Sequence, residues 1–219
     1  MRVDAVLAGL KGRSTRRDLD NLARFGIAAA RPIGVSMANM RVLAKGIGRD
    51  HALALALWKT GRYEARMLAT LIDEPERVTA KQMDSWCRDF DNWAIVDTAC
   101  FALFDRTPHA WAKVALWSKR RGEFQRRAGF ALLWALSVHD KAADDAKFVE
   151  GLGLIERAAT DGRHYVKKAA NMALRAIGKR NPKLAAAALA VARRLAAAED
   201  PSARWIGTDA LRELGIRQG

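Results

Sequence analysis

A tryptophan and an aspartate lie four residues apart in the segment Asn92-Trp93-Ala94-Ile95-Val96-Asp97. On a helix, residues at i and i+4 are neighbours, so the indole of Trp93 and the carboxylate of Asp97 are expected to lie side by side. A fixed carboxylate can stabilise positive charge on a bound group, and an aromatic face can do the same through its π electrons. The pair is therefore a candidate for chemistry. A purely structural role is the alternative. In that case Asp97 forms an ion pair with an arginine of a neighbouring helix pair, and Trp93 packs between two helix pairs.

The helix that carries this pair has a predictable core face. A projection of residues 92–104 at 100° per residue puts one apolar stripe on Ile95, Val96, Ala99, Ala102 and Leu103. Trp93, Asp97 and Phe104 fall together roughly 120° away from that stripe. The projection thus predicts that these three side chains lie off the core.

The sequence predicts four other helices that are equivalent to the Trp93 helix, and Lys or Arg residues lie in or next to the first turn of each. The Trp93 helix differs from them, because it has no Lys or Arg between Arg88 and Arg106. The cations at these positions are Arg62 and Arg66, Arg126 and Arg127, Lys167 and Lys168, and Arg204. One helix also carries a polar stripe at helical spacing, made of Lys168, Met172, Arg175 and Lys179. A solvated face explains such cations without any function, but the charge of the whole chain favours a nucleic acid partner. The candidate DNA contacts are Arg66, Arg127, Lys168, Met172, Arg175, Lys179 and Arg204.

These residues are positioned by a repeating arrangement of helix pairs. Strand signals are nearly absent, which predicts an all-α fold. Second helices are predicted to begin near Tyr63, Trp93, Phe124, Tyr165 and Ala203, at spacings of about 30, 31, 41 and 38 residues. Such spacings are typical of stacked helix-pair repeats, in which one helix of each pair builds a continuous curved surface. We expect one domain over residues 1–219, with N-terminal helices over about 1–50 and repeats over about 51–219.

The composition of the chain indicates which kinds of partner and cofactor to expect. The 219 residues include 38 Lys and Arg against 24 Asp and Glu, a formal net charge of +14, which favours a polyanionic partner. Two cysteines and four scattered histidines give neither a disulfide framework nor a zinc-ligand spacing, so neither metal nor organic cofactor is expected. No apolar run is long enough for a membrane span. We expect a cytoplasmic, nucleoid-associated monomer.

The N-terminal segment is strongly basic. Residues 1–49 hold ten Lys and Arg against three Asp. A transit peptide is poor in acids, whereas Asp4, Asp18 and Asp20 lie here among apolar residues at helical spacing. The segment is therefore predicted to form the first helices of the domain.

The order of these features resembles the AlkD-like DNA alkylation repair proteins, DNA glycosylases built from HEAT-like repeats. The matching stretches run from about residue 20 onward: Gly34-Val35-Ser36, Met40 to Lys45, Glu64-Ala65-Arg66, Asp91 to Asp97, Gln125 to Ala128, Val166 to Ala169, and Leu174-Arg175 through Lys179 to Pro182. The resemblance implies a right-handed α-solenoid of HEAT-like helix pairs with a concave basic surface. It also implies excision of positively charged alkylated purines, such as 3-methyladenine and 7-methylguanine, from double-stranded DNA.

The resemblance further implies roles for individual residues. Asp97 would be the catalytic carboxylate, Trp93 an aromatic residue of the cleft, and Arg127 a phosphate contact. The sequence departs from the family pattern at Met172, where the family usually has a second cleft tryptophan. It departs again at Phe25, which lacks the hydroxyl of a tyrosine found in some relatives. A non-catalytic repeat protein that binds DNA or RNA through the same surface is the alternative, and a scaffold for acidic protein partners is a third.

Overall fold

The computed structural model describes residues 2–215, and over that range it is all-helical, with no β-strand. The thirteen α-helices of this range fall into two compact units, with the boundary between Pro108 and His109. The first unit contains α1 Val3–Lys11, α2 Arg16–Arg24, α3 Met37–Ile47, α4 His51–Lys59, α5 Tyr63–Ile72, α6 Ala80–Arg88 and α7 Trp93–Ala102, with short 3-10 helices at Pro75–Arg77 and Phe104–Arg106. The second unit contains α8 Ala110–Trp117, α9 Glu123–His139, α10 Asp145–Ala158, α11 His164–Gly178, α12 Pro182–Ala196 and α13 Pro201–Gly215.

The predicted second helices of the repeats are confirmed. They begin at Tyr63, Trp93, Glu123, His164 and Pro201, within two residues of the expected positions. The predicted helices of the basic N-terminal segment are confirmed as α1, α2 and α3. Polar N-caps explain several of these starts, because a side-chain oxygen accepts one of the free N–H groups of the first turn. Thr15, Ser36 and Asp50 do this for α2, α3 and α4.

The first unit is built around α5. Every residue of α5 except Arg66 and Leu71 is buried, and the helix packs against α3, α4 and α7. A parallel stack of Trp58 and Trp86, with ring centroids 4.0 Å apart, joins α4 to α6. Helix α7 packs against α5 through its buried apolar stripe. The side of α7 that carries Trp93 and Asp97 is only half-buried.

The second unit packs α9 against α11 and α12 against α13. The core face predicted for α11 is confirmed, because six of its side chains are fully buried: Val166, Ala169, Ala170, Ala173, Leu174 and Ile177. Gly207 permits the close approach of α13 to α12, since a Cβ at this position would lie 2.2 Å from the backbone nitrogen of Ala196. The small residues of α12 and α13 thus allow their backbones to touch.

The projection of the Trp93 helix is right for its core and wrong for Phe104. Ile95, Val96, Ala99 and Leu103 are buried as expected, and Ala102 is partly buried. Phe104 is fully buried and packs on Trp86, with 6.2 Å between ring centroids. The physical reason is that α7 ends at Ala102, and the backbone turns into a 3-10 helix before Phe104. The 100° spacing does not hold beyond the end of the helix.

Within residues 2–215, the helices are too short or too polar to cross a lipid bilayer.

Candidate functional site

Trp93 and Asp97 line one pocket of the first unit. The pocket has a volume of about 330 Å³, and we call it the Asp97 pocket. Its walls come from α2, the start of α3, the loop between these two helices, the first half of α5, and α7. Its residues are Asp18, Asn21, Leu22, Phe25, Ile27, Val35, Ser36, Met37, Met40, Tyr63, Met67, Trp93, Ala94, Asp97 and Thr98. The structure thus brings the predicted carboxylate and the predicted indole into the same cavity, each half-buried.

The start of α7 is fixed by Asn92. This buried side chain caps the helix, since its carbonyl oxygen accepts hydrogen bonds of 3.1 Å from the N–H groups of Ala94 and Ile95. The cap makes Trp93 the first residue of the helix and places Asp97 one turn later. The Asp91-Asn92 sequence therefore sets the position of both functional candidates.

The indole of Trp93 is itself held in place. Its Nε1–H donates a hydrogen bond of 3.1 Å to the carbonyl oxygen of Phe25, the residue that follows α2 and caps its C-terminus. Phe25 is one of the more exposed large apolar residues of the described chain, with 59% of its surface accessible. Its phenyl ring and the indole thus belong to the same rim of the Asp97 pocket.

A buried glutamate supports the loop that closes one side of the pocket. The carboxylate of Glu64 accepts hydrogen bonds from the backbone N–H groups of Ile33 (2.8 Å), Gly34 (2.7 Å) and Val35 (3.4 Å). Gly34 has a positive φ of 89°, and a Cβ there would lie 2.5 Å from the side chain of Leu19. Glu64 was not among the predicted site residues, although it stands in the Glu64-Ala65-Arg66 stretch that carries the family resemblance.

The electrostatics of the Asp97 pocket suit a cation. Two carboxylates, Asp18 and Asp97, line it together with the aromatic rings of Phe25, Tyr63 and Trp93, and no Lys or Arg is among its described lining residues. Burial raises the pKa of the Tyr63 phenol far above its usual value, and the nearby acids Glu64 and Asp91 add to the effect. Tyr63 therefore contributes a neutral ring to the wall and carries no negative charge at neutral pH.

Arg66 lies elsewhere in the first unit. Its guanidinium sits over the indole of Trp58, 5.2 Å from the ring centroid, and donates to the backbone carbonyls of Trp58 and Asp89. It also forms an ion pair of 3.7 Å with the Asp89 carboxylate. These contacts leave Arg66 lining a separate groove of the first unit.

Arg127 is buried in the second unit. Only 6% of its surface is accessible, and its guanidinium donates a hydrogen bond of 2.8 Å to the carbonyl oxygen of Tyr165. It also lies 6.0 Å from the centroid of the Tyr165 ring. Arg127 thus ties the start of α9 to the start of α11.

The four residues of the polar stripe predicted on α11 differ in how far they are exposed to solvent. Lys168 and Lys179 are exposed, whereas Met172 and Arg175 are half-buried. Arg175 forms ion pairs with two carboxylates of α13, Asp209 at 3.4 Å and Glu213. Arg204, at the start of α13, is exposed and donates to the carbonyl oxygen of Ala198. Lys168, Lys179 and Arg204 are thus the predicted contacts that present charge to solvent.

Met172, Arg175 and Lys179 line a second cavity, which we call the Trp134 pocket. It lies in the second unit and has a volume of about 550 Å³. Its lining consists of Trp134, Ser137, Val138, Lys141, Ala143, Asp145, Met172, Arg175, Ala176, Lys179, Arg180 and Asn181. Sequence reasoning found three of these residues, Met172, Arg175 and Lys179. It missed Ala176, Arg180 and Asn181 in and just after α11, and the six residues that come from α9, α10 and their connection.

No group of three or more His, Cys, Asp or Glu side chains in the described part of the chain is arranged to hold a metal ion.

Comparison with known proteins agrees with this arrangement. The family described as DNA alkylation repair enzyme matches residues 6–214, so the chain belongs to that family, as the resemblance predicted. A solved structure, described as a new family of proteins related to the HEAT-like repeat DNA glycosylases with affinity for branched DNA structures, superposes with a TM-score of 0.81 and 21% identity, covering 98% of this chain and 97% of that chain. The predicted all-α, HEAT-like fold is thereby confirmed. No curated protein matches the chain significantly.

Proposed function

We propose that this protein is a DNA glycosylase that hydrolyses the N-glycosyl bond of positively charged alkylated purines in duplex DNA. The observation that carries the proposal is the Asp97 pocket, in which two carboxylates and three aromatic rings line a cavity without any described Lys or Arg. A protein with a net charge of +14 attracts DNA over its surface at large, so a local site of opposite character suits a cationic group carried by that DNA.

The reaction requires little acid catalysis. Alkylation at N3 or N7 gives the purine a positive charge, so the electron pair of the breaking N-glycosyl bond neutralises the base as it leaves. Positive charge then develops on the deoxyribose as an oxocarbenium ion, which the fixed carboxylate of Asp97 stabilises. Water adds to C1′, a proton is released to solvent, and an abasic site remains. Asp97 is the residue suited to orient that water.

The aromatic residues complement this charge. A cation over an indole or phenyl face gains about 0.5–2 kcal/mol, more when water is excluded. The hydrogen bond from Trp93 to the Phe25 carbonyl fixes the indole before any ligand arrives, which lowers the ordering cost of binding. Lys168, Lys179 and Arg204 are suited to hold phosphates without reading sequence.

A second candidate function is non-catalytic binding of DNA. The observation that favours it is the likeness to a protein of a family with affinity for branched DNA structures. Met172 adds to it, because the glycosylases that this sequence resembles usually have a tryptophan there. The two functions share a basic surface and differ in whether a base is released.

The experiment that separates them is base release from methylated duplex DNA. The unmodified protein is expected to release 7-methylguanine or 3-methyladenine, and Asp97→Asn is expected to reduce the rate by about 10² to 10³ while leaving duplex affinity unchanged. Asp20→Asn is the matched control, because Asp20 is an exposed acid of α2 outside the pocket, paired with Arg16 at 3.1 Å. If the unmodified protein binds duplex DNA but releases no alkylated base, the second candidate replaces the first.

A further inference from the structure

The Trp134 pocket has positive charge that the described protein does not neutralise. Lys141 and Lys179 line it and are exposed, and neither has a carboxylate within ion-pair distance among residues 2–215. The acid in the lining, Asp145, accepts a hydrogen bond of 2.9 Å from the side-chain amide of Asn181. The open side of the cavity therefore carries lysines, which is the chemistry that binds phosphate.

The floor of this pocket is rigid and also cationic. Arg180 donates hydrogen bonds to the carbonyl oxygens of Ser137 (2.8 Å) and Asp140 (2.9 Å), and its guanidinium lies 3.9 Å from the centroid of the Phe148 ring. These partners are neutral, so they hold the guanidinium without cancelling its charge. Arg180 caps the end of α9 and adds positive potential beneath the two lysines.

The remaining wall is apolar and aromatic. Trp134 is half-buried there, beside Val138, which is 38% exposed, and Met172. An indole with a flexible thioether next to it suits a flat aromatic ligand. A volume of about 550 Å³ falls in the range of small-molecule sites. Trp134 and the lysines together thus match a molecule with one flat ring and one phosphate.

A nucleotide has that combination. The bases of an intact duplex are stacked and paired, so their faces cannot reach a pocket wall, whereas an unpaired nucleotide can leave the stack. We infer that the Trp134 pocket binds one unpaired nucleotide of DNA, with the base against Trp134 and Met172 and the phosphate at Lys141 and Lys179. This inference rests on the DNA binding of the proposed function and adds a site in the second unit that takes no part in catalysis.

The test compares two DNA molecules of the same sequence, one fully paired and one with a single extrahelical nucleotide. Fluorescence anisotropy gives both affinities, and 2-aminopurine at the extrahelical position reports stacking through quenching. The protein is expected to prefer the bulged DNA by about fivefold or more, the effect of stacking one base on an aromatic side chain. The double variant Lys141→Glu/Lys179→Glu and the variant Trp134→Leu are each expected to abolish the preference and the quenching.

Lys183→Glu is the matched control, because Lys183 is an exposed lysine of α12 outside the pocket lining. It is expected to weaken both DNA molecules equally and to keep the preference. Because Lys141 and Lys179 are exposed, their substitution tests the site even if Trp134→Leu fails to fold. The inference is overturned if the unmodified protein shows no preference, or if the double variant keeps it. A third outcome would also overturn it: the pocket binds free dAMP and not inorganic phosphate, and the protein binds bulged and paired DNA equally. The pocket would then be a site for a free nucleotide, and not for a nucleotide of DNA.

The two proposals fail separately. Base release that depends on Asp97, without any preference for bulged DNA, removes the nucleotide site and keeps the glycosylase. A preference that depends on Lys141 and Lys179, without base release, removes the glycosylase and keeps the nucleotide site.

Discussion

The indole N–H of Trp93 donates a hydrogen bond to the backbone carbonyl of Phe25, 3.1 Å away and 68 residues earlier in the chain. This contact connects the first residue of α7 to the end of α2 at the rim of the Asp97 pocket. The indole is therefore oriented by the protein before any DNA binds. The carboxylate of Asp97 lies one turn along the same helix, so both groups share one rigid support.

Substituting Trp93→Phe tests the value of this orientation. Phenylalanine keeps an aromatic ring but cannot donate to the Phe25 carbonyl. One partly exposed hydrogen bond contributes about 0.5–1.5 kcal/mol, so we expect base release to slow by about two- to tenfold. Trp93→Ala is expected to lose more, because the ring is also removed. Trp205→Phe, which alters a partly exposed tryptophan of α13, is expected to leave the rate unchanged; a Trp93→Phe rate equal to that of Trp205→Phe would refute the role.

Glu64 is expected to support the pocket through the loop over residues 33–35. Glu64→Ala leaves three buried backbone N–H groups without their acceptor, so we expect a loss of about 3 kcal/mol or more in the free energy of unfolding. Glu64→Gln keeps one carbonyl oxygen and is expected to lose less. Urea unfolding measures both. Equal stability of Glu64→Ala and the unmodified protein would contradict this account of the loop.

The salt dependence of duplex binding distinguishes exposed cations from paired ones. Six phosphate contacts predict a slope near −5 in a plot of log affinity against log salt concentration, since each contributes about 0.9. Lys168→Ala, Lys179→Ala and Arg204→Ala should each reduce the magnitude of the slope by about 0.9. Arg127→Ala is expected to lower stability instead, because its guanidinium is buried against the Tyr165 carbonyl. A flat salt dependence would argue for the protein-scaffold alternative.

Asp161 makes stability depend on pH. Its hydrogen bonds from the Arg163 side chain hold the pKa of this carboxyl below its usual 3.8, with Arg126 adding to the effect at 3.0 Å. A carboxyl whose pKa is lower in the folded state than in the unfolded state stabilises the fold. This contribution is complete when the pH is above the pKa of the unfolded state, and it is lost as the pH falls through the pKa of the folded state. The difference in unfolding free energy between the unmodified protein and Asp161→Asn should therefore be constant from pH 7 to 5 and shrink below about 3.8. A difference that stays constant down to pH 3 would contradict the assignment.

Local patterns were sufficient to predict the helix pairs and to place Trp93 and Asp97, two of the residues that line the Asp97 pocket. Polar residues at the turns gave the helix starts, and the spacing of Trp93 and Asp97 brought both to one side of α7. The error at Phe104 arose because no strong stop signal follows Ala102, where the helix ends. Helical spacing was thus reliable only inside the helix.

Long-range partners could not be predicted in the same way. Glu64 binds backbone groups about thirty residues earlier, and Arg175 pairs with Asp209 and Glu213 more than thirty residues later. Neither contact leaves a local pattern in the sequence. Both depend on which helices the fold places side by side, and that arrangement is settled by packing of the whole unit.

In the proposed reaction, Asp97 stabilises positive charge on the sugar of bound DNA. The most direct measurement is the affinity for duplex DNA that contains a pyrrolidine abasic analogue, cationic at pH 7, compared with the neutral tetrahydrofuran analogue. We expect the unmodified protein to bind the cationic analogue about 10- to 100-fold more tightly, the effect of a hydrogen bond between charged groups. We expect Asp97→Asn to bind both analogues equally. Equal affinities in the unmodified protein, or a preference that persists in Asp97→Asn, would contradict this role of Asp97.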